Sequence, residues 1–131
     1  MRLLLDTCTV IEAAETDGWK RLPSRIRELL QDETNELLFS VVSIVEMAVK
    51  TTIRKLDIPA ARIEQIINDL GLTTIPFSVR HAMHLYGLPL HHREPFDRML
   101  IAVALAEKVP IVTSDREFVK YSDVGLEVIS A

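Results

Sequence analysis

The chain has 131 residues, 48% of them hydrophobic and 26% charged, and nineteen acids against fifteen Lys and Arg give a formal net charge of −4. This apolar content excludes intrinsic disorder, and six prolines with four glycines exclude a fibrous or low-complexity chain. The acid excess argues against a protein that grips nucleic acid through bulk positive charge, although not against nucleic acid as a substrate.

Apolar runs and amphipathic stretches alternate from end to end. Leu3-Leu4-Leu5 reads as a short buried strand ending at Asp6-Thr7, followed by a helix through Val10, Ile11 and Ala14. Pro23-Ser24 opens a second helix carrying Ile26, Leu29 and Leu30, with proline tolerated in a first helical turn. Glu36 to Phe39 reads as a strand, and a helix from about Val42 to Lys55 follows it, with Ser40 or Ser43 as N-cap. Ala60 to Leu70 carries Ile63, Ile66, Ile67 and Leu70 on one face, and Gly71 stops it. Thr73 to Pro76 reads as a short strand, and Ser78 caps a helix running toward Tyr86. Gly87 to Arg93 is a loop, Pro95 starts a helix to Lys108, Pro110 to Thr113 is a strand ending at Ser114-Asp115, and Glu127 to Ile129 is the last strand.

Strands that are mostly apolar and alternate with helices pair in parallel under helices on both faces. The expected fold is therefore a single domain over residues 1–131, a three-layer α/β/α sandwich around a mostly parallel sheet. The two halves of the chain each carry −2, so no charged tail stands apart. Cys8 is the lone cysteine, and Asp6 interrupts the first apolar run too early for a secretory leader; the expected setting is reducing and cytoplasmic. The longest apolar run, Met99 to Ala106, is far short of the ~20 residues a bilayer needs, so no membrane is expected.

In open parallel sheets, ligands bind at the carboxyl ends of strands, where the strand order reverses. Asp6 and Asp115 both fall directly after strands, although each also reads as a turn former and helix N-cap. Asp97 lies in the first turn of the helix from Pro95, where the helix dipole alone favours a carboxylate by ~0.3–1 kcal/mol. Glu46 is the odd one, because Val42, Val49 and Ile53 stand at i−4, i+3 and i+7 and place it in an otherwise apolar helical stripe. A buried carboxylate needs a cation. Lys50 at i+4 is the ordinary partner, in a pair worth only ~0.2–0.5 kcal/mol. Carboxylates that converge on one cleft repel unless a divalent cation neutralises them, and hard oxygen donors suit Mg²⁺ or Mn²⁺ rather than Zn²⁺. Such a site suits metal-assisted phosphodiester hydrolysis. Spacing alone does not establish that the four converge.

Leu5-Asp6-Thr7, Ser43-Ile44-Val45-Glu46-Met47-Ala48-Val49-Lys50, the stretch from Leu88 to Ala102 with its Pro95-Phe96-Asp97-Arg98 block, and Val112-Thr113-Ser114-Asp115 occur in that order. Together they resemble a PIN domain, specifically the VapC-like toxins of bacterial toxin–antitoxin pairs, over essentially the whole chain. The resemblance implies a Mg²⁺- or Mn²⁺-dependent endoribonuclease whose acids match Asp6, Glu46, Asp97 and Asp115, with Thr7 and Thr113 as hydroxyl supports. It implies cleavage by activated water that leaves a 5′-phosphate and a 3′-hydroxyl. It also implies a cognate antitoxin that lays a C-terminal segment over the cleft, and a homodimer or a toxin–antitoxin hetero-oligomer. One departure is Cys8, where many relatives carry His or Ser.

Other residues carry competing readings. Lys50, Arg54, Arg93, Arg98 and Arg116 are either a phosphate-contacting rim or ordinary surface charges. His81 and His84 form an i, i+3 pair without further ligands, and His91 and His92 either line the cleft or simply belong to the loop. Trp19 and Tyr86 are candidates for stacking on bases, Glu117 is a neighbouring acid, and Cys8 has no assigned base that would make it a nucleophile. The alternatives to the ribonuclease toxin are a DNA-directed or repair-type nuclease on the same fold, a catalytically silent α/β partner-binding module, and phosphotransfer through Asp6. The last would want a second acid at position 8, where Cys8 stands.

Overall fold

The computed structural model describes residues 1–131. Five strands, β1 (Arg2–Leu5), β2 (Glu36–Ser40), β3 (Leu72–Ile75), β4 (Ile111–Thr113) and β5 (Val128–Ser130), form one sheet in the order β3-β2-β1-β4-β5, and every pairing is parallel. Six helices connect them: α1 (Thr7–Glu15), α2 (Ser24–Gln31), α3 (Val41–Thr52), α4 (Ala60–Leu70), α5 (Val79–Met83) and α6 (Pro95–Glu107). The result is the expected α/β/α sandwich.

The central strands β1, β2 and β4 read as apolar runs because both faces of the sheet are covered there. Side chains alternate across the pleat. Leu3 and Leu5 therefore join Leu37 and Phe39 on one face, beneath Val10 of α1, Ile26 and Leu30 of α2 and Ile66 of α4. Leu4, Leu38 and Ile111 face the other way, against Leu100, Ile101, Val103 and Ala104 of α6 together with Phe118 and Tyr121. Register follows from this pattern: Leu3 pairs with Leu37, and Leu4 sits between Leu38 and Ile111.

Local chemistry sets the element ends. Ser40 caps α3, its hydroxyl accepting from the Val42 amide at 3.1 Å, which leaves Ser43 free for another role. Gly71 closes α4 in the left-handed region, at φ 65°, where a side chain would be strained. Ser78 and His81 form a reciprocal capping box at the start of α5, and Glu94 caps α6 by accepting from the Asp97 amide at 2.7 Å. Strand and helix ends differ from the sequence expectation by one to three residues. β5 lies one residue later, at Val128–Ser130, and α3 ends at Thr52 rather than Lys55. Two 3₁₀ segments, Gly18–Arg21 and Arg116–Val124, had no counterpart in the periodicity reading. No helix is long and apolar enough to cross a membrane.

The strand order positions the site. The chain builds outward from β1 to β2 and β3, then returns through α6 to place β4 on the other side of β1. The order reverses between β1 and β4, so the crevice beyond their carboxyl ends is where a ligand belongs. Asp6 follows β1 and Asp115 stands two residues past β4.

Candidate metal centre

Asp6 is built in by both neighbouring elements. As N-cap of α1 its Oδ1 accepts from the Thr9 amide at 2.8 Å, and its Oδ2 accepts from the Thr113 hydroxyl at the end of β4. The same Thr113 oxygen accepts from the Asp115 amide at 3.0 Å, so one hydroxyl ties the two strand-end acids together. Asp115 in turn caps the following 3₁₀ segment, its Oδ1 accepting from the Glu117 amide at 2.9 Å. Capping and site placement are therefore not alternatives for these two residues; each cap fixes a carboxylate at the sheet edge.

The other two acids come from helices. Asp97 stands in the first turn of α6, and Glu46 lies on α3, which packs against α6. Glu46 is only 3% exposed. Its Oε2 accepts from Lys50 Nζ, and its Oε1 is buried with no hydrogen-bond partner. Of the apolar stripe expected around it, Val42 is buried, whereas Val49 and Ile53 are 42% and 55% exposed. The buried face of α3 is instead Val42, Ser43, Glu46 and Met47. Ser43 uses its hydroxyl to accept from Thr7 at 2.8 Å, fastening the start of α1 to α3.

Charge links the acids pairwise, Asp115 bearing on Asp6 and Glu46 bearing on Asp97. Burial raises the pKa of Asp6 against the pull of its Thr113 and Thr9 hydrogen bonds, and the charge of Asp115 adds to the rise. Burial raises Asp97 to about 6; its hydrogen bond from His92 opposes this, while Glu94 and Glu46 reinforce it. Cys8 registers the same field: its thiol is pushed up to about 11, first by desolvation and then by the charges of Asp6, Glu46 and Asp97. A thiol so disfavoured as thiolate is a poor nucleophile.

The structure adds a residue that the sequence left undecided. His92 Nε2 lies 2.7 Å from Asp97 Oδ2 and 3.5 Å from Asp115 Oδ2, so the loop before α6 reaches the acids. His92, Asp97 and Asp115 each offer one donor atom, and the three atoms lie within 4.8 Å of one another. Its neighbour His91 turns to Asp123 instead, at 2.8 Å. His81 is committed to its capping box, its Nδ1 accepting from the Ser78 amide, and His84 is exposed, so that pair forms no centre.

The basic residues divide into two sets. Lys50 is engaged by Glu46, and Arg98 spends its guanidinium on the loop, donating to the carbonyls of Leu88, Pro89 and His92 and to the Tyr121 hydroxyl. Arg54, Arg93 and Arg116 are exposed and make no ion pair within the chain. Glu117 pairs with Lys120 at 2.7 Å. Trp19, expected as a stacking candidate, is buried in the core at 7% exposure, whereas Tyr86 is 80% exposed.

A cluster able to hold a metal ion is thus present: His92, Asp97 and Asp115 offer one nitrogen and two carboxylate donors, Asp6 and Asp97 are raised first by burial, and the buried Glu46 Oε1 lacks any partner.

The sequence matches the model of the PIN domain over residues 3–124. No curated protein is matched by sequence. Among solved structures, the chain is similar to the DNA-bound VapBC of Salmonella typhimurium, with TM-score 0.72 and 19% identity over 99% of this chain and 98% of that one. It is also similar to VapBC2 of Rickettsia felis bound to a promoter DNA fragment, with TM-score 0.66 and 17% identity over 99% and 98%. A third likeness is to FitAcB of Neisseria gonorrhoeae, with TM-score 0.62 and 17% identity over 98% and 96%. At these identities the likeness is one of fold.

Proposed function

The chain belongs to the PIN-domain family, and from that premise we propose that it is a divalent-cation-dependent endoribonuclease, the toxin of a toxin–antitoxin pair. The observation that carries the reading is the unpartnered, buried Glu46 Oε1 beside carboxylates that burial already disfavours. Leaving such an oxygen unsatisfied costs ~1–3 kcal/mol or more for a charged group, and a cation removes that cost.

Asp6, Glu46, Asp97 and Asp115 would hold Mg²⁺ or Mn²⁺. When bound, the cation supplies Lewis acidity toward a phosphodiester oxygen and a source of hydroxide at neutral pH. The chain's own residues prepare the site. Thr113 holds Asp6 and Asp115 in register across β1 and β4, and Thr7 with Ser43 fixes α1 against α3. Lys50 neutralises one oxygen of Glu46 and leaves the other for the centre. Arg54, Arg93 and Arg116 are free to meet phosphates, because phosphate contacts position a strand without requiring net positive charge. Hydrolysis by water leaves a 5′-phosphate and a 3′-hydroxyl.

Several relatives in fold carry VapBC or FitAB-type names and are solved with DNA. By analogy this chain acts as one domain inside the cell, bound by a cognate antitoxin and assembled as a homodimer or hetero-oligomer. The test is incubation of the purified chain with RNA and with DNA under Mg²⁺, Mn²⁺ or EDTA, beside Asp6→Asn and Asp97→Asn. RNA cleavage should require a divalent cation and fall by about a hundredfold or more in each variant. Cleavage that survives EDTA, or full activity in both variants, would overturn the mechanism, and cleavage of DNA alone would transfer the site to a DNA-directed nuclease.

A further inference from the structure

His92 is the one nitrogen donor among the acids of the crevice, and nothing about it suggests a wandering loop residue. Its amide donates to the hydroxyl of Tyr121 at 2.9 Å, and its carbonyl accepts from Arg98 at 3.2 Å. Tyr121 is fully buried, and Arg98 also grips the carbonyls of Leu88 and Pro89. The His92 ring meets Phe118 edge-on with centroids 6.1 Å apart. The loop is thus clamped on both sides of the residue that enters the site.

The donor spacing is that of a coordination sphere. Adjacent donors around an octahedral cation with bonds of ~2.1 Å stand about 3 Å apart. His92 Nε2 lies 2.7 Å from Asp97 Oδ2 and 3.5 Å from Asp115 Oδ2, on either side of that value. A second observation points to a ligand beside Asp97: Glu46, whose charge bears on Asp97, keeps a buried oxygen without a partner. Resting on the reading that these acids hold a divalent cation, we propose that His92 is itself one of its ligands, and that its nitrogen turns the centre toward Mn²⁺ over Mg²⁺. Mg²⁺ demands oxygen donors and gives up its waters reluctantly, whereas first-row transition ions accept imidazole. The hydrogen bond to Asp97 and a bond to the cation exclude each other at Nε2. Loading the centre therefore leaves the ring proton on Nδ1 and Nε2 free to donate its lone pair.

The competing account makes His92 only a hydrogen-bond partner that orients Asp97, and the two accounts differ in what they do to the ions. The 131-residue chain is loaded with Mn²⁺ alone and read by pulsed electron paramagnetic resonance for nitrogen hyperfine coupling, while calorimetry gives Kd for Mn²⁺ and for Mg²⁺. Coupling is expected in the wild type and in His91→Gln and is lost in His92→Gln, which weakens Mn²⁺ by about tenfold or more and Mg²⁺ by clearly less. Absence of coupling in the wild type, its survival in His92→Gln, or equal weakening of both ions overturns the proposal. Where His92→Gln does not fold, the wild type loaded with ¹¹³Cd²⁺ decides it: a one-bond ¹⁵N–¹¹³Cd coupling at His92 Nε2 is expected, and its absence in the loaded chain counts against the proposal. Activity is not among these readouts. A chain that binds Mn²⁺ through nitrogen and cuts no RNA loses the nuclease reading and keeps this one, and a chain that cuts RNA with an all-oxygen centre does the reverse.

Discussion

Glu46 and Lys50 define the energetics of the site at the scale of single residues. Glu46 is nearly sealed from solvent, Lys50 is about a third exposed, and their contact answers one carboxylate oxygen only. An exposed i, i+4 pair contributes a few tenths of a kcal/mol, but here the carboxylate is already buried. Removing the ammonium leaves a desolvated charge with neither oxygen satisfied. Lys50→Met should therefore destabilise the metal-free protein by about 1–3 kcal/mol. Glu46→Gln removes the charge that needs answering, so the double variant Glu46→Gln/Lys50→Met should recover most of the loss. Urea unfolding of the four proteins gives the coupling directly, and equal cost of Lys50→Met in both backgrounds would show that the two residues do not interact.

At the scale of elements, the helices were legible wherever a capping side chain met an apolar face. Asp6, Ser40 and Ser78 start their helices through side-chain oxygens, Pro95 marks the first turn of α6, and Gly71 ends α4 in the left-handed region. The central strands β1, β2 and β4 were legible because burial on both faces writes an apolar run, whereas the edge strand β3 exposes Thr73 and Thr74. The 3₁₀ segments were not, because a short irregular turn leaves no period to read. His92 was undecided for a similar reason: a loop residue is placed by what clamps the loop, and Tyr121 stands 29 residues away. The stripe that singles out Glu46 is buried only at Val42, while Val49 and Ile53 face outward; the burial of Glu46 follows from the α3 face it shares with Val42, Ser43 and Met47.

The link between α5 and α6 shows how much such contacts matter away from the site. Arg80 reaches Glu107 at the end of α6, where Arg2 at 3.9 Å and His81 at 3.7 Å add positive charge or potential charge. The Arg80 hydrogen bond holds the Glu107 carboxyl below the ordinary range, with smaller help from the charges of Arg80, His81 and Arg2. A pKa lower in the folded than in the unfolded chain gives stability above the unfolded value and loses it as pH falls through the folded one. Glu107→Gln should thus cost about 0.5–1 kcal/mol at pH 7, with the difference from wild type closing below roughly pH 4. Thermal unfolding from pH 3 to 7 tests this, and a difference that stays constant across the range would remove the ion pair from the account.

At the scale of the whole molecule, setting aside Asp6, Glu46, Asp97 and Asp115 leaves fifteen acids against fifteen Lys and Arg, so the excess of −4 equals the formal charge of the four proposed ligands. On the proposed reading the acid excess belongs to a metal site on a balanced scaffold and is no bar to nucleic acid. Such a centre is held together by the fold at a cost, because Asp6 and Asp97 are both raised by burial. The sign follows from linkage: a carboxyl with a raised folded pKa contributes stability below its unfolded value and loses it as pH rises through the folded one, about 6 for Asp97. The metal-free wild type should therefore be less stable than Asp97→Asn at pH 8, by a few degrees in Tm, and equal to it near pH 4. A cation that binds only the folded chain reverses the order. At a hundred times its Kd it adds ~2.7 kcal/mol, or about 10 °C for a chain of this size, to the wild type and much less to the variant. Scanning calorimetry of both proteins at pH 4 and pH 8, with and without Mn²⁺, reads all of these differences. A variant that is no more stable than wild type at pH 8, or that gains as much from Mn²⁺, would show that Asp97 is neither burdened by its charge nor relieved by a metal.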